Sequence, residues 1–172
     1  LRADADLLIR QTSPTIDIFQ SNMIRLQSSA LGHYLDQTYS YLAMTRQSPY
    51  ASKRDGSESS SGTRRSWDLK YFVVYPMVKK REWYKISQSD RQGMMVEHFR
   101  IGRKYPSVKI NTAYSFGLDD QEFVVAFETD ELSEFLHLVE ELRSTEAGQY
   151  TSSEIPIFTS ILMPIREVLG TL

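Results

Sequence analysis

The chain has 172 residues, 41% of them hydrophobic and 24% charged, with a formal net charge of -2 at pH 7. This composition is typical of a globular protein, and the slightly acidic balance argues against nucleic acid as a partner, because phosphate binding requires clustered Lys and Arg. Cysteine is absent, which excludes disulfides and thiolate ligation, and no apolar run reaches the roughly 20 residues that span a bilayer, so we expect a cytoplasmic protein without membrane insertion.

The beginning of the chain predicts a strand, a helix and a second strand. Residues 5–11 are short and apolar, which favours a buried strand, and residues 35–44 are rich in Tyr, Thr and Leu. Between them, apolar residues recur every three or four positions and predict an amphipathic helix that ends near Gly32. Because Leu1 is not a methionine, we expect an N-terminal part of this unit to be missing.

Residues 46–68 differ sharply in composition, since SKRDGSESSSGTRR contains almost no apolar side chain. The segment predicts a flexible loop, either a connector or a flap over a site. We therefore divide the chain into a partial N-terminal unit at 1–45, this loop, and a C-terminal unit at 69–172.

The C-terminal unit predicts the order β-α-β-β-α-β. Its strands are expected at residues 69–79, 108–116, 123–128 and 154–162. A capping box of Ser87 and Asp90 opens the first helix, and Asp130 is expected to cap the second. The pair Asp119 and Asp120 lies in the GLDD turn, where an Asx cap is a better interpretation than a metal or acid–base pair.

An internal repeat connects the two halves. A shift of 116 residues aligns Phe19 with Phe135, Leu26 with Leu142, Ser28 with Ser144, Gly32 with Gly148 and Tyr34 with Tyr150. The prediction is an α+β fold of two ferredoxin-like units, the first incomplete, packed sheet to sheet as a dimeric α/β barrel.

The first strand of the C-terminal unit carries a candidate binding face. Alternation places Tyr75, Met77 and Lys79 on one side. The opposite side, expected to meet covering helices, carries Phe72, Val74 and Val78. Tyr, Met and Lys together suit the wall of a pocket for a large, anionic, mostly apolar ligand, although half-exposed residues of an edge strand give the same pattern.

His98 belongs to the buried stripe of the following helix, with Met94 four residues before it and Ile101 three after it. It is either a core histidine or an axial ligand of haem iron. A structural zinc ion would need three or four protein ligands, whereas haem iron needs only one because the porphyrin supplies four nitrogens. The other two histidines, His33 and His137, are expected to be solvated.

Several motifs together resemble a known family. LRADAD, YPMVKKREWY, MMVEHFRIGRKYP, GLDD and FETDEL, spread over the first 165 residues, are similar to the chlorite dismutase-like superfamily, and most of all to its coproheme decarboxylases of actinobacterial and archaeal type. The resemblance implies haem in the C-terminal unit, a homopentamer, and hydrogen peroxide-dependent decarboxylation of iron-coproporphyrin III to haem b.

The resemblance also implies roles for individual residues. His98 matches the proximal iron ligand, Tyr75 the tyrosine that becomes a radical, and Lys79 a residue that holds a propionate. The positions implied to line the pocket or to support the imidazole through a hydrogen bond are Met77, Trp83 and Glu146.

By the same resemblance, Ile110 is a cofactor-binding residue at the position that matches the distal arginine of chlorite dismutases. An isoleucine cannot donate a hydrogen bond, so chlorite dismutation is disfavoured, whereas decarboxylases of actinobacteria tolerate an apolar residue there. Those enzymes add a histidine in the preceding loop, and the loop of this chain has none. The alternatives are a haem carrier or sensor, another haem peroxidase of the superfamily, and a structural barrel without tetrapyrrole.

Overall fold

The computed structural model describes residues 2–50 and 68–170, so most of the loop predicted at 46–68 lies outside the described residues. The first described part contains helix α1, Asp17–Gln27, and a 3-10 helix, Leu31–Tyr34. The second begins with β1 Tyr71–Lys79, α2 Arg81–Lys85, α3 Gln88–Lys104, β2 Lys109–Tyr114 and β3 Phe123–Thr129. It continues with α4 Leu132–Ser144, α5 Glu146–Gln149, β4 Thr151–Ser153, β5 Phe158–Ile161 and α6 Ile165–Val168.

The five strands form one antiparallel sheet in the order β2-β3-β1-β4, with β5 also paired to β1. This order and the α+β class confirm the predicted ferredoxin-like unit. Of the strand predicted at 154–162, only Phe158–Ile161 forms, as β5, and the unpredicted short strand β4 precedes it. Pro156, which lacks the N–H that a continuous ladder requires, lies between the two. β1 pairs with β3 on one side and with β4 and β5 on the other, so it is the central strand. Its side chains are covered on both faces.

The strands predicted at 5–11 and 35–44 are not formed. In this part of the chain the pairing is limited to two isolated bridges, Arg2 with Ala5 and Met44 with Tyr114. The second consists of two backbone hydrogen bonds of 2.8 and 2.9 Å, which join the segment to the end of β2. A strand needs a neighbour along its length, and these segments have none among the described residues. The sheet formed by the described residues therefore does not close into the predicted barrel.

The alternation predicted for β1 is confirmed, but the assignment of the helices to its faces was wrong. Tyr75 packs in one cluster with Ile101 of α3 and Leu138 of α4, so the helices cover the Tyr75 face. The Val74 face packs against the N-terminal segment, including Leu8. The binding face predicted from the sequence therefore lies between the sheet and α3.

The repeat has a structural counterpart at its two glycines. A side chain on Gly148 would lie 2.7 Å from the carbonyl oxygen of Leu142, and one on Gly32 would clash in the same way with the carbonyl of Leu26. In both halves a glycine thus lets the chain turn back onto the end of the preceding helix. Two of the aligned pairs therefore perform the same packing role.

The two predicted helix caps had different outcomes. The Ser87 hydroxyl accepts a hydrogen bond from the amide of Asp90 at 3.2 Å, which confirms the cap of α3. Asp130 does not cap α4, because its carboxylate accepts a 2.9 Å hydrogen bond from the amide of Lys70. It instead connects the end of β3 to the start of β1.

Asp119 binds donors in and next to the GLDD turn, although not the backbone amide two residues on that defines an Asx turn, and it also anchors the N-terminal segment. Its carboxylate accepts hydrogen bonds from the amide of Asp120 at 2.9 Å and the Gln121 side chain at 2.9 Å. It also accepts one from the amide of Leu42 at 2.7 Å. Burial alone would raise the pKa of Asp119, but these hydrogen bonds together lower it below its usual value.

Replacing Asp119 with alanine is expected to reduce the free energy of unfolding by about 1–3 kcal/mol at neutral pH, because partly buried donors lose their acceptor. Urea unfolding measures this change, and Asp120→Ala, at an exposed position, is the matched control with an expected effect within about 0.5 kcal/mol. A carboxyl whose pKa is lowered by folding stabilises the protein above its unfolded pKa of about 3.9 and loses that contribution as pH falls. A difference between wild type and Asp119→Ala that persists undiminished at about pH 2 would contradict this explanation.

Candidate functional site

An open cavity of about 2490 Å³ is lined by α3, by both faces of the sheet and by much of the N-terminal segment. It is larger than the roughly 300–1,000 Å³ typical of a single ligand site, so the volume alone does not define a ligand. The candidate residues that line it together are Tyr75, Met77, Lys79, Trp83, His98 and Ile110. The structure thus brings six of the seven predicted site residues to one cavity.

His98 is half-buried, and its Nδ1 atom is buried without a hydrogen-bond partner. Burial, and then the positive charge of Lys79, lower the pKa of His98 to about 4. The imidazole is therefore neutral at physiological pH, and it makes no hydrogen bond with any described residue. A neutral imidazole in a largely apolar cavity fits the axial ligand of a porphyrin iron.

Glu146 does not make the hydrogen bond expected of it. It is the first residue of α5 and its side chain is exposed, and the Nδ1 atom of His98 has no partner among residues 2–50 and 68–170. The residue before it explains the local geometry, because the Thr145 hydroxyl caps α5 by accepting a 3.1 Å hydrogen bond from the amide of Gly148. In this structure the tautomer of His98 is therefore not fixed by a carboxylate.

Tyr75 is 5% exposed, and its ring stacks on Phe127 with centroids 5.7 Å apart. Burial, and then the negative charge of Glu154, raise the pKa of the Tyr75 phenol, while the positive charge of Arg143 opposes the shift. The phenol is therefore protonated over the physiological pH range. Its hydroxyl makes no hydrogen bond with any residue in the described part of the chain.

Lys79 lies at the end of β1, where its ammonium donates hydrogen bonds to the carbonyl of Ala147 at 2.9 Å and the hydroxyl of Thr151 at 3.1 Å. Burial lowers the pKa of Lys79 to about 8, although the charges of Glu154 and Glu122 oppose the shift. An ammonium has three donors, so one remains to bind an anion in the cavity.

Trp83 is 3% exposed and lines the cavity next to Lys79. The Nζ atom of Lys79 lies 5.1 Å from the centre of the Trp83 ring. The indole packs between Tyr50 at 6.3 Å and Tyr150 at 5.6 Å, measured between ring centroids. Met77 is partly buried against the same core as Tyr75. These side chains give the cavity an apolar wall next to a cation.

Ile110 packs against the core on the α3 side of the sheet. A side chain placed on Gly102 of α3 would lie 3.4 Å from its Cδ1 atom, so the helix and β2 approach closely there. The Ile110 side chain lines the cavity and cannot donate a hydrogen bond.

Comparison with known proteins identifies the family. The family model described as chlorite dismutase matches residues 1–163. The chain belongs to the chlorite dismutase family. The coproheme decarboxylase of Mycolicibacterium smegmatis is 32% identical over 178 residues, and the alignment covers 100% of this chain and 73% of that protein.

Solved structures of the chlorite dismutase family show the same fold. A mutant chlorite dismutase from Candidatus Nitrospira defluvii superposes with a TM-score of 0.78 at 25% identity, over 91% of this chain and 68% of the other. A haem-binding protein from Thermus thermophilus superposes with a TM-score of 0.76 at 27% identity, over 91% and 68%. None of the helices within residues 2–50 and 68–170 has the length and apolar character needed to cross a membrane.

Two features of this member of the chlorite dismutase family were not predicted. Arg143 of α4 pairs with Glu154 at 3.1 Å, and both line the cavity, where their charges act on Tyr75. Arg91 of α3 also lines the cavity, seven residues before His98. The spacing of two helical turns was a usable signal for Arg91, whereas nothing local in the sequence indicated the ion pair.

Proposed function

We propose that this protein binds iron-coproporphyrin III between α3 and the sheet and decarboxylates it oxidatively to haem b, with hydrogen peroxide as the oxidant. The observation that carries the proposal is that a neutral histidine, a buried tyrosine and a lysine with a free donor line one cavity. The similarity to a coproheme decarboxylase supports the substrate, and the similarity to a haem-binding protein supports the class of ligand. A homopentameric, cytoplasmic enzyme is part of the same proposal.

The residues of this chain would hold the porphyrin in distinct ways. His98 would act as the axial ligand, Lys79 would bind a propionate, and Met77 and Trp83 would contact the ring. The iron porphyrin, when bound, supplies the redox chemistry through which hydrogen peroxide acts as oxidant. The Ile110 side chain donates no hydrogen bond, which favours decarboxylation over chlorite chemistry.

Tyr75 would take a hydrogen atom from the propionate side chain. Because its pKa is raised, the phenol keeps its proton until it is oxidised, and it must release an electron and a proton together. Once oxidised, Tyr75 recovers a hydrogen atom from the substrate carbon next to the ring. Loss of carbon dioxide and a second electron then leaves a vinyl group. Each propionate consumes one hydrogen peroxide and one proton and yields one carbon dioxide and two waters.

The direct test is a titration of the purified protein with iron-coproporphyrin III and, separately, with haem b, followed by peroxide. Mass spectrometry of the extracted porphyrin should show two successive losses of a carboxyl group from iron-coproporphyrin and none from haem b. Tight binding without any loss of carboxyl groups would refute the enzymatic proposal and support the carrier.

The affinity for metal-free coproporphyrin is expected to fall several-fold between about pH 7 and about pH 9.5, because Lys79 has a pKa of about 8 and loses its positive charge in this range. The propionates stay ionised throughout, and the absence of iron removes any effect of axial ligation. Fluorescence titration measures the change, and Lys79→Gln should bind more weakly at pH 7 with little dependence on pH. Equal pH dependence in both proteins would assign the titration to another group.

A non-catalytic haem carrier or sensor is the second candidate. The observation that favours it is Ile110 itself, whose side chain packs against the core and cannot donate a hydrogen bond to peroxide. Under this alternative His98 and Lys79 would still bind the porphyrin, but Tyr75 would have no redox role. The peroxide experiment separates the two candidates.

A further inference from the structure

Arg91 shares the cavity face of α3 with His98. Arg91, Met95 and His98 follow at intervals of four and three residues, and all three line the cavity. Arg91 lies about 10 Å from His98 along the helix axis, toward the N-terminus of α3. This separation is comparable to that between the centre of a porphyrin and the carboxylates on its rim.

Within the described part of the chain, the guanidinium of Arg91 has no hydrogen-bond or ion-pair partner. Its Nε atom is buried without a hydrogen bond, and Arg91 forms no ion pair with any residue of 2–50 or 68–170. The carboxylates of Glu122 and Asp90 bind other groups. Glu122 accepts hydrogen bonds from the Tyr84 hydroxyl and the Lys79 amide. Asp90 accepts one from Ser87. A partly buried, unpaired guanidinium is costly and is stabilised by a carboxylate that accepts from its planar fork.

Lys79 and Arg91 are connected through Glu122 and Tyr84. The Glu122 carboxylate accepts hydrogen bonds from the Lys79 amide and the Tyr84 hydroxyl, and the charge of Arg91 acts on Tyr84. The Lys79 ammonium is next to the Trp83 ring, which packs against Tyr50. The residue that follows Arg91 is bound to the same tyrosine, because the Gln92 side chain donates a 2.9 Å hydrogen bond to the carbonyl of Tyr50. Two cations from different elements, α3 and β1, thus converge on one end of the cavity.

We infer that Arg91 binds a second carboxylate of the tetrapyrrole, next to the one bound by Lys79. The inference rests on the proposed function and makes its ligand more specific, a porphyrin with two neighbouring carboxylates on the edge that faces Trp83. His98 and the two cations then fix the ring at three points. The rotation of the porphyrin about the axis through His98 is thereby determined, and with it the side chain that faces Tyr75.

Arg91→Gln is expected to weaken the binding of metal-free coproporphyrin III about tenfold, because a charge-assisted bidentate contact is lost. Arg91→Lys should retain part of the affinity. Arg100→Gln, on the exposed side of the same helix, is the matched control and should bind like wild type. The tetramethyl ester of coproporphyrin, in the same detergent buffer, has no carboxylates and should bind wild type and Arg91→Gln equally.

A double-mutant cycle shows whether the two cations bind different carboxylates. If they do, the effects of Arg91→Gln and Lys79→Gln on the free energy of binding add, and the double variant loses about a hundredfold. If both bind one carboxylate, the double variant is little weaker than either single variant, and the second subsite is wrong. Because metal-free porphyrin is used, neither outcome depends on iron ligation or turnover.

Chemical modification of the wild-type protein gives an independent test that needs no variant. Phenylglyoxal reacts with accessible arginines, and bound coproporphyrin should protect Arg91 but not Arg100, as measured by mass spectrometry of peptides. The tetramethyl ester should protect neither. If wild type binds coproporphyrin tightly while Arg91→Gln matches Arg100→Gln, this inference fails and the proposed function stands. If wild type binds no porphyrin, both fail.

Discussion

His98→Ala is expected to lower the affinity for iron-coproporphyrin by about a hundredfold or more, while the affinity for metal-free coproporphyrin changes by less than about threefold. The difference would arise because, under the proposed function, the imidazole contacts only the iron. With a pKa of about 4, His98 is neutral at pH 7 and keeps its lone pair available, so the cost of deprotonating it is already absent in the free protein.

Absorption spectra measure this effect, because removal of the axial imidazole changes the visible bands of the iron porphyrin. Added imidazole should restore part of the wild-type spectrum in His98→Ala by entering the space left by the side chain. His137→Ala is the matched control, since His137 lies on the exposed side of α4. An unchanged spectrum and affinity in His98→Ala would show that His98 is a core histidine.

Tyr75→Phe should reduce the rate of carboxyl loss about a hundredfold or more while leaving porphyrin binding within about threefold. Phenylalanine preserves the ring that stacks on Phe127 and removes only the hydroxyl, which makes no hydrogen bond with the described residues. The variant should therefore fold and bind normally, and its defect should be confined to the oxidation of the propionate.

The measurement is the time course of the mono- and didecarboxylated products after addition of peroxide. Tyr114→Phe is the matched control, because Tyr114 also lines the cavity but lies on β2. If Tyr75→Phe removes both carboxyl groups at the wild-type rate, the radical role of Tyr75 is wrong, and the oxidising equivalent reaches the substrate by another route.

The C-terminal unit was predictable because its signals are local. Alternation in β1 placed Tyr75 and Lys79 on one face, and the cap at Ser87 marked the start of α3. Which face of β1 the helices cover was not predictable, because the strand carries apolar residues on both faces and either face can pack against helices. Only the packing of α3 and α4 decides it.

The N-terminal prediction failed for a related reason. Residues 35–44 have the composition of a strand, but a strand exists only where a neighbour pairs with it, and Met44 alone pairs with β2. Arg91 was missed because a charged residue in a helix ordinarily belongs to the solvated face. The resemblance to the chlorite dismutase-like superfamily pointed to His98 and Tyr75, which both line the cavity. The hydrogen bond that it implied between Glu146 and His98 is not formed among the described residues.

The register of the sheet limits how this protein can change in evolution. Tyr75 is opposite Val125 of β3, and Val125 is opposite Thr112 of β2, so the strands form one continuous alternating pattern. Insertion or deletion of a single residue within β1 would turn Tyr75 away from α3 and leave an aliphatic side chain in its place. Substitutions can accumulate along these strands, but changes of length are confined to the connections between them.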